Sequence, residues 1–183
     1  IQWNVMGFLD DNLQALEGVE CDYKVVGTIQ DYVPQENDVL ALGIANPQIK
    51  EKIVTMLKNK GAAFQSIIHP YVALGRFNTV GEGVVIYSGF GMTVNVQIGN
   101  FCTLLACGLG HDVTVGDFST ISSWCNIMGH AKIGKRVFMG GNCAVAPSAV
   151  IEDDAYVGVG SVVLRKVKAG KKVFGNPARE MDI

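Results

Sequence analysis

From Val80 onward an aliphatic side chain returns at every sixth position, at Val80, Ile86, Met92, Ile98 and Leu104. The register then slips by one residue. It resumes at Val115 and runs through Ile121, Ile127, Ile133, Met139, Val145, Ile151, Val157 and Val163, with nothing polar in any slot. Four residues beyond each slot of the second run stand Ser119, Cys125, Ala131, Val137, Cys143, Ala149, Ala155, Ser161 and Val167, all small. A period of six is incompatible with an amphipathic helix, whose stripe recurs at about 3.6 residues, and with hairpin sheets, whose alternation is broken by turns of varied length. It fits short strands meeting at corners. Three hexapeptides close a triangular coil of about 18 residues, the large residue filling the prism and the small one sitting where a corner narrows it. Val80-Gly81, Ile98-Gly99, Val115-Gly116 and Ile133-Gly134 follow one another at 18, 17 and 18 residues, with glycine where the backbone must bend or approach its neighbour closely.

The same spacing spreads the 22 glycines along the chain. It also places Cys102, Cys125 and Cys143 in small-residue slots, where they read as packing residues. Five cysteines without CxxC spacing argue against a disulfide framework or a structural metal. A net charge of -2 with 17% charged residues offers no cationic surface to neutralise phosphates, so a small-molecule substrate fits better than nucleic acid. No stretch reaches the ~18 uncharged apolar residues of a membrane span, and the opening IQWNVMGFLDD lacks a basic flank and a cleavage-site pattern. The expectation is a soluble cytoplasmic protein.

Ahead of the repeat the texture changes. Val5-Met6-Gly7-Phe8-Leu9, ending in Asp10-Asp11-Asn12, and Asp38-Val39-Leu40-Ala41-Leu42-Gly43 read as buried parallel strands with loops at their C-terminal ends. Asn46-Pro47 supplies an N-cap and a first-turn proline for a helix through about Asn59, closed by Gly61, with Ile49, Ile53, Met56 and Leu57 as its apolar face. A strand through Ser66-Ile67-Ile68 leads to His69-Pro70, where the coil begins. Ligands of small α/β units collect at the carboxyl ends of strands, where Asp10, Asp11 and Gly43 lie. The aspartates read equally well as a solvated turn.

Three histidines are available as a base titrating near neutrality. His69, before a proline at the mouth of the repeat, reads as structural. His130, in Met128-Gly129-His130-Ala131, takes an ordinary position of a regular coil and is expected to face solvent. His111, in Gly110-His111-Asp112, falls in the stretch where the register slips, and a break in a strict repeat is where a side chain is re-aimed. Neighbouring strand residues face opposite ways, so His111 and Asp112 can cooperate only if the backbone bends between them.

The pattern aliphatic-Gly-x-x-small-x resembles the hexapeptide-repeat acyltransferases. The Phe8-Leu9-Asp10-Asp11 turn, His69-Pro70, Gly110-His111-Asp112 and Gly175-Asn176-Pro177-Ala178 together resemble one branch of them over nearly the whole chain. That branch comprises sialic-acid O-acetyltransferases and N-acetyltransferases of nucleotide-linked 4-amino sugars. The resemblance implies a mainly β fold, with a left-handed parallel β-helix at 67–183 preceded by a small Rossmann-like α/β substrate-binding unit at 1–66. This handedness is an exception to the usual crossover rule. The family pattern starts with a strand and a glycine-rich loop, often carrying a substrate-touching histidine, so the first βα element is expected to be missing here.

For chemistry, the resemblance implies acetyl-CoA-dependent N-acetylation by direct attack of the acceptor on the thioester. His111 would be the general base, Asp112 its supporting carboxylate, and N–H groups near Gly129 the donors that polarise the carbonyl. Asp10, Asp11 and Gly43 would bind the nucleotide sugar. Coenzyme A would lie along an outer groove between neighbouring subunits, past Thr120, Gly129, Gly141 and Val159. Arg165, Lys166, Lys168, Lys171 and Lys172 would meet its phosphates or be merely solvated. A homotrimer with active sites between protomers is expected. The competing readings are O-acetylation of sialic acid or another sugar hydroxyl, a non-catalytic scaffold, and a zinc hydratase of this fold. The last needs three histidine ligands, which the spacing of His69, His111 and His130 disfavours, so no metal is expected.

Overall fold

The computed structural model describes residues 3–181. Two-residue strands fall in turn onto three parallel faces, each strand pairing with the one a full coil away. The first face runs from Ile67–Ile68 to Lys172–Phe174 and is closed by the antiparallel Arg179–Glu180. The second runs from Ala73–Leu74 to Val162–Val163, and the third from Thr79–Val80 to Lys166–Val167. The repeated hexapeptide dictates this: the second residue of each strand points inward, and Ile86, Leu104, Ile121, Ile127, Met139 and Val157 are at most 1% exposed. The small slots from Ser119 to Ser161 are buried at the corners, as the spacing predicts, whereas Val167 is the inward residue of the strand Lys166–Val167, because the last coil is shorter there. Their polar atoms hold bent backbone: Ser119 Oγ donates to Gly134 O at 2.8 Å, and Cys125 Sγ lies 3.1 Å from Gly140 O. Burial pushes the Cys102 and Cys107 thiols up to about 12, which suits packing and not nucleophilic attack.

The structure corrects where the repeat loses its residue. The strand Thr103–Leu104 is followed by Gly108–Leu109, five positions on instead of six. Ala106 alone makes that bend between first and second faces, whereas Ser123-Trp124 and Gly141-Asn142 make it with two residues one and two coils later. The corner carrying His111 is of full length.

The helix α1 spans Pro47–Asn59, with Asn46 Oδ1 accepting from the Ile49 N–H at 3.0 Å and Lys60 and Gly61 ending it. Its buried side is Pro47, Lys50, Val54 and Leu57, so the expected face is rotated and Ile49 is 50% exposed. The reason lies on the first face of the prism. Lys50 Nζ, fully buried, donates to Thr103 Oγ1 at 3.0 Å, Thr120 Oγ1 at 2.9 Å and Ser119 O at 3.4 Å. An ammonium has three N–H donors, and each finds an acceptor here. Burial still lowers its pKa to about 8. Alongside, Val54 and Leu42 cover Phe101, which stacks on Phe118 and meets Phe64 edge-on, while Arg136 joins Glu51 of the helix to Asp154.

The expected Rossmann-like unit is not confirmed by the strands described ahead of the coil. Phe8–Leu9 pairs in parallel with Val25–Gly27, and Val39–Leu40 pairs in parallel with Ala63–Phe64 across α1, giving two separate ribbons and no common sheet among the described residues. Phe8 and Val39 are exposed, so these strands are not the buried ones that the apolar runs suggest. No helix of the described residues is long and apolar enough to cross a membrane.

Candidate active site

At the corner between the second and third faces the first five coils each turn with two residues, and the second of them is left-handed. Phe77, Asn95, Asp112, His130 and Ser148 have φ between 57° and 60°. Non-glycine residues rarely adopt this conformation, though Asn and Asp tolerate it best. A ladder compensates: the N–H groups of Asn95, Asp112, His130 and Ser148 donate to the carbonyls of Arg76, Val94, His111 and Gly129, one coil below. The turn therefore stacks first residue on first and second on second. Asp112 comes to lie between Asn95 and His130, and His111 over Gly129.

The bend that adjacency requires is supplied by Asp112 itself, at φ 59°. It brings His111 Nδ1 to 2.8 Å from Asp112 Oδ2, while Asn95 Nδ2 donates to Oδ1 at 2.6 Å. The His111 hydrogen bond, and after it that of Asn95, holds the Asp112 carboxyl below the usual carboxylate range. An ionised carboxylate only accepts, so Nδ1 carries the proton and the lone pair of neutral His111 is on Nε2. Nε2 lies over Gly129: a Cβ built there would meet it at 2.5 Å. The Gly129 N–H has no acceptor among the described residues. A proton-accepting nitrogen and a free N–H donor thus share one exposed corner, the arrangement that acyl transfer needs.

Gly129→Ala tests that proximity. The clash falls on the far end of an exposed ring and not on backbone, so the fold should hold while the base is displaced. We expect turnover to drop about a hundredfold, the usual cost of a misplacement of about 1 Å, with an unchanged urea midpoint. An alanine variant of full activity would place the working nitrogen elsewhere.

Sequence reasoning underrated two residues here. His130 is exposed as expected, yet its Nδ1 lies 3.7 Å from Asp112 Oδ2 and its ring meets that of His111 edge-on at 4.8 Å. Asn95 went unread altogether. The 17- and 18-residue spacing of Asn95, Asp112 and His130 could have found both, because residues one coil apart are neighbours.

The other candidates lie apart from this corner. Thr120 corrects the cofactor expectation: it is 1% exposed under α1, its hydroxyl donating to Ala45 O at 2.6 Å and accepting from Lys50. Gly141 and Val159 occupy the first turn position one coil apart, at the corner between first and second faces, with Val159 70% exposed. Asp10 Oδ1 accepts from the Asn12 N–H, and Asp11 Oδ1 from the N–H groups of Ile29 and Gln30. Gly43 is exposed, with open space where a Cβ would stand. All three belong to the N-terminal unit, which packs through α1 on the first face, opposite the His111 corner of the triangle. His69 Nδ1 accepts from the Tyr71 N–H at another corner, so the three histidines do not converge. Of the basic group, Lys166 pairs with Glu152 at 2.6 Å and Lys171 with Glu180.

No family model matches the chain. Over 147 residues it is 27% identical to a GDP-perosamine N-acetyltransferase of Escherichia coli O157:H7, covering 76% of this chain and 66% of that one. A bifunctional GlmU protein of Halalkalibacterium halodurans is 27% identical over 136 residues but is covered to only 29%. The chain thus spans under two thirds of these curated relatives. Among solved structures, the acetyltransferase domain of PglB from Neisseria gonorrhoeae superposes with a TM-score of 0.87 at 22% identity, covering 96% of this chain and 86% of that one. WeeI from Acinetobacter baumannii gives 0.70 at 27% identity, over 96% and 85%. The fold is therefore mainly β, a parallel β-helix matching the left-handed β-helix acetyltransferases.

Proposed function

From its membership of the hexapeptide-repeat β-helix acyltransferases, in the branch of nucleotide amino-sugar N-acetyltransferases, we propose that this chain moves an acetyl group from acetyl-CoA to the amine of a nucleotide-linked 4-amino sugar. The observation that carries the reading is the corner itself: His111 oriented by Asp112, its Nε2 free and lying over Gly129. The PglB domain is also known with acetyl coenzyme A, and PerB from Caulobacter crescentus, of similar fold at a TM-score of 0.80, with CoA and GDP-perosamine. These support the donor and the acceptor class.

In this reading Nε2 of His111 accepts a proton from the acceptor amine as its nitrogen attacks the thioester carbonyl, and no acyl-enzyme forms. The Gly129 N–H steadies the oxyanion of the tetrahedral intermediate. Asp112, fixed by Asn95, stabilises the imidazolium, which returns its proton to the departing thiolate. Asp10, Asp11 and Gly43 hold the nucleotide sugar, and Gly141 and Val159 border the path of coenzyme A. Since those residues lie across the prism or at another corner from His111, a second copy must bring them to it. A homotrimer with sites between protomers satisfies that requirement, and a cytoplasmic enzyme belongs to the same reading.

The test is release of coenzyme A from acetyl-CoA in the presence of UDP-, dTDP- and GDP-linked 4-amino sugars, with sialic acid alongside. Turnover is expected with at least one amino sugar and not with sialic acid. The opposite preference would replace N-acetylation by O-acetylation, and no turnover with any acceptor would leave a scaffold.

A further inference from the structure

The catalytic corner has a second chemical capability. His111, Asp112 and His130 each offer a ligand atom, and these atoms all lie within 4.8 Å of one another. Two imidazoles and one carboxylate are a donor set that zinc and its neighbours in the transition series favour. Ligands at a zinc-to-nitrogen distance of about 2.0–2.1 Å in a tetrahedron stand about 3.3 Å apart. The spacings from Asp112 Oδ2 are 2.8 Å to His111 Nδ1 and 3.7 Å to His130 Nδ1, and no two of the ligand atoms are more than 4.8 Å apart, so rotation of the exposed rings is what closes the set around an ion. The carboxylate is already arranged as a ligand would be: Asn95 holds Oδ1 at 2.6 Å and leaves Oδ2 facing both rings. Hydrogen bonding of this kind behind a ligating carboxylate orients and tunes metal sites. The corner is open to solvent, so water can fill the remaining position.

We propose that His111, Asp112 and His130 capture one divalent ion of the zinc type, and that its binding switches acetyl transfer off. The consequence follows from the ring's single proton. Coordination through Nδ1 of His111 requires that nitrogen to be bare, so the proton of the neutral imidazole moves to Nε2. The nitrogen that takes the acceptor's proton then carries one of its own. The inhibitory half of this inference rests on His111 being the base; the binding half does not.

The experiment has two arms. In the first, chelator-treated protein is titrated with Co2+ and followed by visible absorption of the coordinated ion, with Zn2+ displacing it. One ion per chain is expected. His130→Asn, at a turn position whose left-handed backbone asparagine tolerates, should weaken binding at least tenfold, the range seen even for supporting residues of metal sites. Cys21→Ser, removing the exposed thiol, should leave it unchanged. Failure to bind, or binding lost with Cys21 and kept in His130→Asn, overturns the site. In the second arm, Zn2+ equimolar with chains should suppress initial acetyl-transfer rates, read before free coenzyme A thiol accumulates, and a chelator should restore them. Undiminished rates with the ion bound would overturn the switch. The titration needs no substrate, so it decides the site even where every acceptor is refused.

Discussion

His111→Ala is expected to lower the rate of acetyl transfer by roughly two to four orders of magnitude, the usual contribution of a general base. The fold should not suffer. The ring is 54% exposed and its one hydrogen bond runs to a neighbouring turn residue, so little packing is lost. Affinity for coenzyme A should stay close to that of the wild type, because the ring is assigned to the proton and not to the cofactor. Single-turnover rates and acetyl-CoA binding, measured on the same preparation, separate the two quantities. Should the variant turn over at the wild-type rate, or lose rate only in proportion to cofactor affinity, His111 would not be the base.

The second large effect concerns the prism. Ile127→Ala removes a fully buried side chain that sits between Leu109 and Val145 in the inner stack. Neighbours in a coil tied by backbone ladders above and below cannot close in, so the lost transfer energy is joined by the cost of a cavity. A destabilisation of about 2–5 kcal/mol is expected, seen as a lower urea midpoint at constant slope. Three residues on stands His130, so the corner should loosen as the stack does. A loss below about 0.5 kcal/mol would mean that the interior repacks freely.

The prism could be read from the sequence because its period is enforced by the interior. A polar residue in any slot of that series would be buried without a partner, so the spacing is the fold written linearly. Helix α1 was equally legible at its ends, where Asn46 and Pro47 act through local backbone chemistry. Its buried side was not: hydrophobicity favoured Ile49, while the surface it meets carries Thr103 and Thr120, which accept from Lys50. That preference is a property of residues 53 and 70 positions away, invisible to a local window. The missing residue at Ala106 was detectable only to within ten positions, because the slots on either side fix the count and not the place. At the candidate site, Gly110-His111-Asp112 could be found by pattern. Asn95 and His130 reach Asp112 only through the stacking of left-handed turns, which becomes apparent once the strands are laid in register.

The ladder at that corner makes three successive rungs into a ruler. Asn95, Asp112 and His130 are set side by side by rung height alone, with no loop of their own to hold them. Whole rungs can therefore be added or removed beyond Ser148, lengthening or shortening the column, while these three keep their spacing. The length of the column and the reactivity of this corner are separable quantities in such a molecule, and evolution or an engineer can adjust the first without touching the second.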